Sequence, residues 1–307
     1  MQEALATCRR LFRSVSSGGT SLRTAAASVG VKASCVTWLG LVVEPLTDAD
    51  VVDLAALLPH LSGLRTLGLQ RSGLGDAGVR ALAEPLGCLT RLVSLELSKG
   101  LFSSSSNGIG ADGVRALSQP LGRLTALTEL GLCGNAIGDD GARALAEPLG
   151  RLTALERLYL GRSGIGADGA AALAQPLGRL TALTELDLNG TSIGGDGACA
   201  LADALIRGFG PRMLDLDGNG IGDDGARALA RLFCHLHRFE GFNLNDNRVG
   251  DDGARAIAEV LSSLEYLSGF SLQGNSFGDD GSRALGDALD EAMAWPRDLD
   301  MFEGASW

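Results

Sequence analysis

The sequence has little from which an enzyme site is usually built. Across 307 residues there are three histidines, His60, His235 and His237, and no GxSxG, HExxH or GxxxxGK[ST] motif. His235 and His237 form "CHLH" with Cys234, but the cluster falls in a helical stretch, where side chains two apart point away from each other. No catalytic residue, metal site or cofactor is therefore expected. Aromatic residues make up only 5% of the chain, so the core is filled by smaller side chains. The six cysteines (Cys8, Cys35, Cys88, Cys133, Cys199, Cys234) show no CxxC and no pairing rhythm. That spacing excludes a disulfide scaffold and points to free thiols in a reducing compartment, with the cytoplasm as the expected location. The longest uncharged apolar run, near Ala33 to Val43, is about half of a membrane span, so no membrane association is expected.

What is abundant is glycine, at 44 residues, and apolar content, at 45%, which together describe a folded chain with many tight turns. The net charge is −11, divided unevenly. Residues 1 to 37 carry Arg9, Arg10, Arg13, Arg23 and Lys32 against Glu3, and the rest of the chain is strongly acidic. An acidic body repels nucleic acid phosphates, so nucleic acid is not an expected partner.

Internal periodicity decides the fold. LxL-like triplets begin at Leu39, Leu67, Leu95, Leu130, Leu158, Leu186, Leu214, Phe242 and Phe270, and every step is 28 residues except the third, which is 35. In "LTELGLCGNAIGDDGARALAEPLGRLTA", Leu130 and Leu132 alternate as in a half-buried strand, while Ala142, Leu145, Leu149 and Leu152 recur at helical spacing. Each unit is strand, turn, helix, turn. Asn135, Asn219, Asn247 and Asn275 end the strands, with Asn107 in the same place after the insertion; their amides suit turn backbone that lacks a ladder partner. Ser72, Ser163 and Thr191 stand there in other units and offer weaker bonds.

From Val36 to Ala294 this pattern resembles the leucine-rich repeat, and within it the ribonuclease-inhibitor-like type with LxxLxLxxNxIGxxGxxxLAxxL. The expected fold is α/β: a right-handed leucine-rich-repeat solenoid, or horseshoe, with a concave parallel β-sheet and convex α-helices, because strands stack at about 4.8 Å and helices need about 10 Å. Expected domains are residues 1–35 as an N-terminal cap or targeting segment, 36–294 as nine repeats and 295–307 as a C-terminal cap. Glu3 to Val15 suits an amphipathic capping helix, while the Arg- and Ser-rich, acid-poor character suits an organelle transit peptide. Trp295, Phe302 and Trp307, with "DLDM", suit the C-terminal cap or an aromatic partner-binding tail.

The repeat also disposes of two motif matches. Gly220, Gly222 and Gly225 fit the dinucleotide-binding GxGxxG, but the same spacing recurs at Gly108–Gly113 and Gly164–Gly169, and Asp223 and Asp224 are expected to cap the helix where pyrophosphate would sit. Asp215, Asp217 and Asn219 open a calcium-like loop whose twelfth position, Ala226, lacks the bidentate Glu.

The expected working surface is the concave face, where side chains flanking each LxL vary between units. Its candidate partner-binding residues are Arg71, Lys99, Glu129, Arg157, Tyr159, Arg162, Glu185, Asp187, Asp215, Asp217 and Asp246. Tyr159 is the anchor, Arg157 and Arg162 the pairing groups, and Glu185 to Asp246 an acidic strip for a partner with a basic surface. The alternative for each charge is pairing within the sheet, as Arg157 with Glu129. Leu101 and Phe102, in the seven-residue insertion, are candidates for an apolar contact at the rim, against the plainer reading of a tolerated surface insertion. The resemblance implies a non-enzymatic scaffold that grips a protein in its hollow. The alternative it implies is regulation of a small GTPase, since Ran GTPase-activating proteins are similar in repeat type; their acidic C-terminal tail is missing here, and no motif assigns such a role to a numbered residue.

Overall fold

Each repeat places its LxL leucine where it is shielded on one side by a helix, and nine strands alternate with nine α-helices among the described residues. The computed structural model describes residues 36–40, 46–99, 107–208, 210–236, 240–261, 264 and 269–293. The segments expected as terminal caps (1–35 and 295–307), the insertion residues Leu101 and Phe102, and His237 lie outside the described residues.

The chain divides into two compact units, at Tyr159 and Leu160. The N-terminal unit runs β1 (Trp38–Gly40), α1 (Asp48–Leu57), a 3-10 turn (Leu58–His60), β2 (Thr66–Gly68), α2 (Gly75–Leu86), β3 (Ser94–Glu96), α3 (Ala111–Leu121), β4 (Glu129–Gly131), α4 (Gly138–Leu149) and β5 (Arg157–Tyr159). Its strands are parallel and in chain order, with Leu39, Leu67, Leu95, Leu130 and Leu158 in register. The C-terminal unit runs α5 (Ala167–Leu177), β6 (Glu185–Asp187), α6 (Gly194–Arg207), β7 (Met213–Asp215), α7 (Gly222–Phe233), β8 (Gly241–Asn243), α8 (Asp251–Leu261), β9 (Gly269–Ser271) and α9 (Asp279–Met293). Here Leu186, Leu214, Phe242 and Phe270 form the register column. Within each unit, helices pack on the helices of the next repeat. The α/β leucine-rich-repeat architecture expected from the periodicity is what each unit displays.

Each strand is three residues long, with its central side chain turned toward the helices. Leu67, Leu158 and Leu186 are fully buried, while their flanking neighbours on β5 and β6 are half-buried on the helix-free face. In the C-terminal unit, phenylalanines take over the column: Phe242 stacks on Phe233 at 4.3 Å and meets Phe270 edge-on at 4.6 Å. The helices of several repeats end at Pro-Leu-Gly. Pro148 in the last turn of α4 removes one donor to Ala144, and the hydroxyl of Ser118 on α3 donates to that carbonyl instead at 2.7 Å. Leu152, expected to continue the helical stripe, is buried in the return turn beyond α4.

The asparagine expectation holds and extends further. Asn135 donates to the carbonyls of Leu132 (2.9 Å) and, in the previous repeat, Leu97 (3.1 Å), and its Oδ1 accepts from Ile109 N. Asn247 and Asn275 tie their own repeat to the one before in the same way. One buried amide thus stitches two repeats, whereas the Ser163 hydroxyl donates to the carbonyl three residues back and that of Thr191 lies within hydrogen-bond distance of both Leu188 O (2.7 Å) and Asn219 Oδ1 of the next repeat (2.8 Å).

The capping expectation needs correction. Asp223 does not cap its own helix: its Oδ1 accepts from Gly250 N (2.6 Å) and Gly253 N (3.0 Å), the start of the next helix, α8. Asp76 does the same for Gly110 and Gly113 of α3, and Asp251 for Gly278 and Gly281 of α9. The reason is stacking: the helix starts of successive repeats lie side by side, so a carboxylate in the first turn reaches its neighbour's free N–H groups. Asp224 is not a cap at all; it pairs with Arg227, as Asp112, Asp140, Asp252 and Asp280 pair with Arg115, Arg143, Arg255 and Arg283.

The same carboxylate goes with the shape of the turn it reaches. Gly110, bonded by Asp76, is extended (φ −100), and neither Gly250 nor Gly278 is left-handed. Where no aspartate crosses, Gly75, Gly194 and Gly222 are left-handed (φ 56, 64 and 63) and turn their N–H to the backbone carbonyls of Asn107, Asn219 and Asn247. Asp48 holds the crossing position in the first repeat without reaching Gly75; α1 instead closes its own start with a Thr47–Asp50 capping box.

Candidate functional site

The face of the strands that no helix covers carries the expected site residues. On the N-terminal unit, the column Trp38, Thr66, Ser94, Glu129, Arg157 runs in register beside Gly40, Gly68, Glu96, Gly131, Tyr159. Arg157 Nη2 lies 3.3 Å from Glu129 Oε2 and its Nη1 3.9 Å from Glu156, so the in-sheet pairing foreseen as the alternative is present. Tyr159 is half-buried on the same face. Trp38, which the sequence reading passed over, is 48% exposed and lays its ring against Gly40. The sequence signal is a tryptophan heading a strand where the other strands of the same unit begin with Thr66, Ser94, Glu129 and Arg157.

Glu96, opposite Gly68 and Gly131 on the same face, is not among the residues expected to form the site. Its carboxyl folds onto Gly131 of the next strand and occupies the space a side chain there would need. The Ser98 hydroxyl, which accepts from Cys133 N at 3.1 Å, donates to it. Burial lifts the Glu96 carboxyl to about 7, against the lowering effect of the Ser98 hydrogen bond and with a further push from Glu129. The sequence signal is a glutamate at a position where both adjacent strands carry glycine.

On the C-terminal unit, Asp187, Asp215 and Asn243 are in register. Each bends back to the turn after its strand: Asp187 Oδ1 accepts from Asn189 N (2.8 Å), Asp215 Oδ1 from Asp217 N (3.1 Å) and Asn243 Oδ1 from Asn245 N (3.1 Å). One oxygen of each acid therefore holds a turn, a structural duty that the sequence reading did not assign. Burial, with Asp187 and Asp217 adding to it, raises the Asp215 carboxyl to about 6 against the hydrogen bonds it accepts. Asp217 is raised by burial and by Asp246, and lowered by Arg162. Glu185, half-buried, begins β6.

Arg71, Arg162 and Asp246 share one repeat position just past the strand, and all three are left-handed (φ 60, 53 and 52). Gly134, Gly190, Gly218 and Gly274 hold that position, also left-handed, in other repeats. A charged residue there costs about 1 kcal/mol of backbone strain relative to glycine. The side chains of Arg162 and Asp246 lie over Gly190 and Gly274 of the following repeats, and Lys99 lies over Gly134.

Among the described residues, no three or more His, Cys, Asp or Glu side chains gather as metal ligands, and no helix is long and apolar enough to cross a membrane. Among the described residues Cys88, Cys133, Cys199 and Cys234 form no disulfide. Cys234 caps α7, and the His235 ring bonds the Arg231 carbonyl at 2.8 Å, so this part of the "CHLH" cluster is committed to the helix end.

Five segments, residues 124–146, 152–174, 180–202, 212–230 and 242–258, match the family described as Leucine Rich repeat. Over those five segments the chain carries leucine-rich repeats. Among solved structures it is similar to an internalin (inlF) from Listeria monocytogenes str. 4b F2365, at 20% identity and a TM-score of 0.53, over 81% of this chain and 71% of that one. At that identity the likeness concerns the repeat fold alone. No curated protein sequence matches the chain.

Proposed function

We propose that this leucine-rich-repeat chain is a non-enzymatic scaffold that binds a partner protein on the helix-free face of its strands. The observation that carries the reading is the strained position after the strand. Where glycine is at ease, Arg71, Arg162 and Asp246 are held left-handed on the open face. A fold that needs only the turn would keep glycine there; charged side chains retained against strain suit contact with a partner. Leucine-rich repeats generally serve as protein-interaction scaffolds, which agrees with this reading. The carboxylates of the C-terminal unit suit a partner surface that carries cations. A helix in every repeat and the 28-residue period favour the ribonuclease-inhibitor-like type. Small-GTPase regulation gains no support from the family match or the structural neighbour.

The test is affinity capture with the purified protein, followed by titration of a captured partner against Tyr159→Ala and Arg162→Ala. The double substitution is expected to weaken the partner by a few kcal/mol, roughly a hundredfold. Unchanged affinity would remove the open face as the working surface.

A further inference from the structure

Two cations stand one repeat apart on the open face of the N-terminal unit, and neither has an acid paired to it. Arg71 and Lys99 hold the same position after β2 and β3, and both are half-buried. Neither side chain has an ion pair or hydrogen bond among the described residues. Lys99 rests its stem against Gly134, and Arg71 stands on a left-handed backbone. The face has carboxylates, but they are otherwise engaged. Glu129 is paired with Arg157, and Glu96 is folded onto Gly131 under the Ser98 hydroxyl.

We propose that Arg71 and Lys99 bind an acidic segment of a partner protein, and that Glu96, three residues ahead of Lys99 on β3 with its carboxyl over Gly131, sets how tightly by the charge it carries. The inference rests on the open face being the partner surface, and it names the chemistry of one part of it. Charge complementarity selects the occupant: two neighbouring cations with no acid paired to them suit a few carboxylates. The chain's net charge of −11 disfavours a polyanion as dense as nucleic acid.

The sign of the gate follows from what surrounds Glu96. From β4 it faces Glu129; β2 presents Thr66, Leu67 and Gly68, none of which titrates; its own strand adds the Ser98 hydroxyl, with Arg71 and Lys99 beyond the strand ends. A charged Glu96 places a carboxylate on the face that an acidic segment must approach. A neutral one leaves the two cations to act alone. Binding therefore tightens as pH falls through neutrality, while the segment's own carboxylates stay ionised.

A short fluorescein-labelled oligoglutamate peptide, titrated onto the full chain by fluorescence anisotropy at low salt, tests this. Affinity is expected to rise about fivefold from about pH 8 to about pH 6. Arg71→Gly with Lys99→Gln should reduce it at least tenfold or so at either pH. Glu96→Gln should bind at about pH 8 as the native chain does at about pH 6. Gly131→Ala, whose methyl displaces the Glu96 carboxyl toward water, should bind weakly at both. An affinity indifferent to Arg71→Gly/Lys99→Gln, or an oligonucleotide of equal charge binding in the peptide's place, overturns the assignment. A pH dependence that survives Glu96→Gln overturns the gate. If the peptide is lost with Tyr159→Ala but not with Arg71→Gly/Lys99→Gln, this inference alone fails; if it ignores both, the open-face reading fails with it.

Discussion

At the scale of single residues, the open face trades stability for display. Arg162 and Asp246 sit where glycine would relax the backbone, so Arg162→Gly and Asp246→Gly should each raise stability by up to about 1 kcal/mol, less what glycine adds to the entropy of the unfolded chain. The same substitutions should weaken partner binding. Urea unfolding set beside partner titration checks both halves; a variant that is less stable and binds normally would show that these side chains serve packing. The sequence made the charged residues visible, because they interrupt a periodic glycine. It did not reveal the strain or the overlay of Arg162 on Gly190 and Asp246 on Gly274, since those depend on the register of one repeat against the next.

At the scale of elements, the two aspartates of the GDDG turns have different work. Asp76→Ala should cost about 1–2 kcal/mol, because it strips the acceptor from two helix-start N–H groups of α3. Asp224→Ala removes an exposed ion pair and should change stability by less than about 0.5 kcal/mol. Equal losses in thermal melts of the two variants would return both to a common capping role. Helix, strand and turn positions were all legible in the 28-residue period, down to the bond Asn135 makes to its own turn, whereas its bonds to Leu97 and Ile109 were not, because they cross to the preceding repeat. The identity of the helix that Asp223 caps was not legible, since the turn in which it sits already looks like a complete capping site. For the same reason Asp187 and Asp215 looked wholly available to a partner, although each gives one oxygen to its own turn.

At the scale of the whole molecule, opposing carboxyl shifts give stability a maximum in mild acid. Glu96 and Asp215 are raised, to about 7 and about 6, so the stability they contribute is full below their ordinary values of 4.5 and 3.8 and is lost as pH rises through the raised ones. Asp251 is lowered by the N–H groups of Gly278 and Gly281, so its contribution is present above the ordinary aspartate value and disappears as pH falls below it. Melting temperature should thus be highest near about pH 4 and decline on both sides. Glu96→Gln should recover on the order of 2 kcal/mol at about pH 8 and little at about pH 4. A flat alkaline limb in the native chain would contradict the burial of Glu96. A different consequence follows from the aspartates that cross between repeats. The shape of one turn is bound up with a residue in the preceding repeat, so the heritable module is out of phase with the strand-and-helix unit that the eye picks out. A duplication or graft cut at the strand would carry a turn away from its instruction, whereas one cut just before the aspartate would keep the two together. Arrays of this chain should tolerate lengthening at the second kind of junction and resist it at the first.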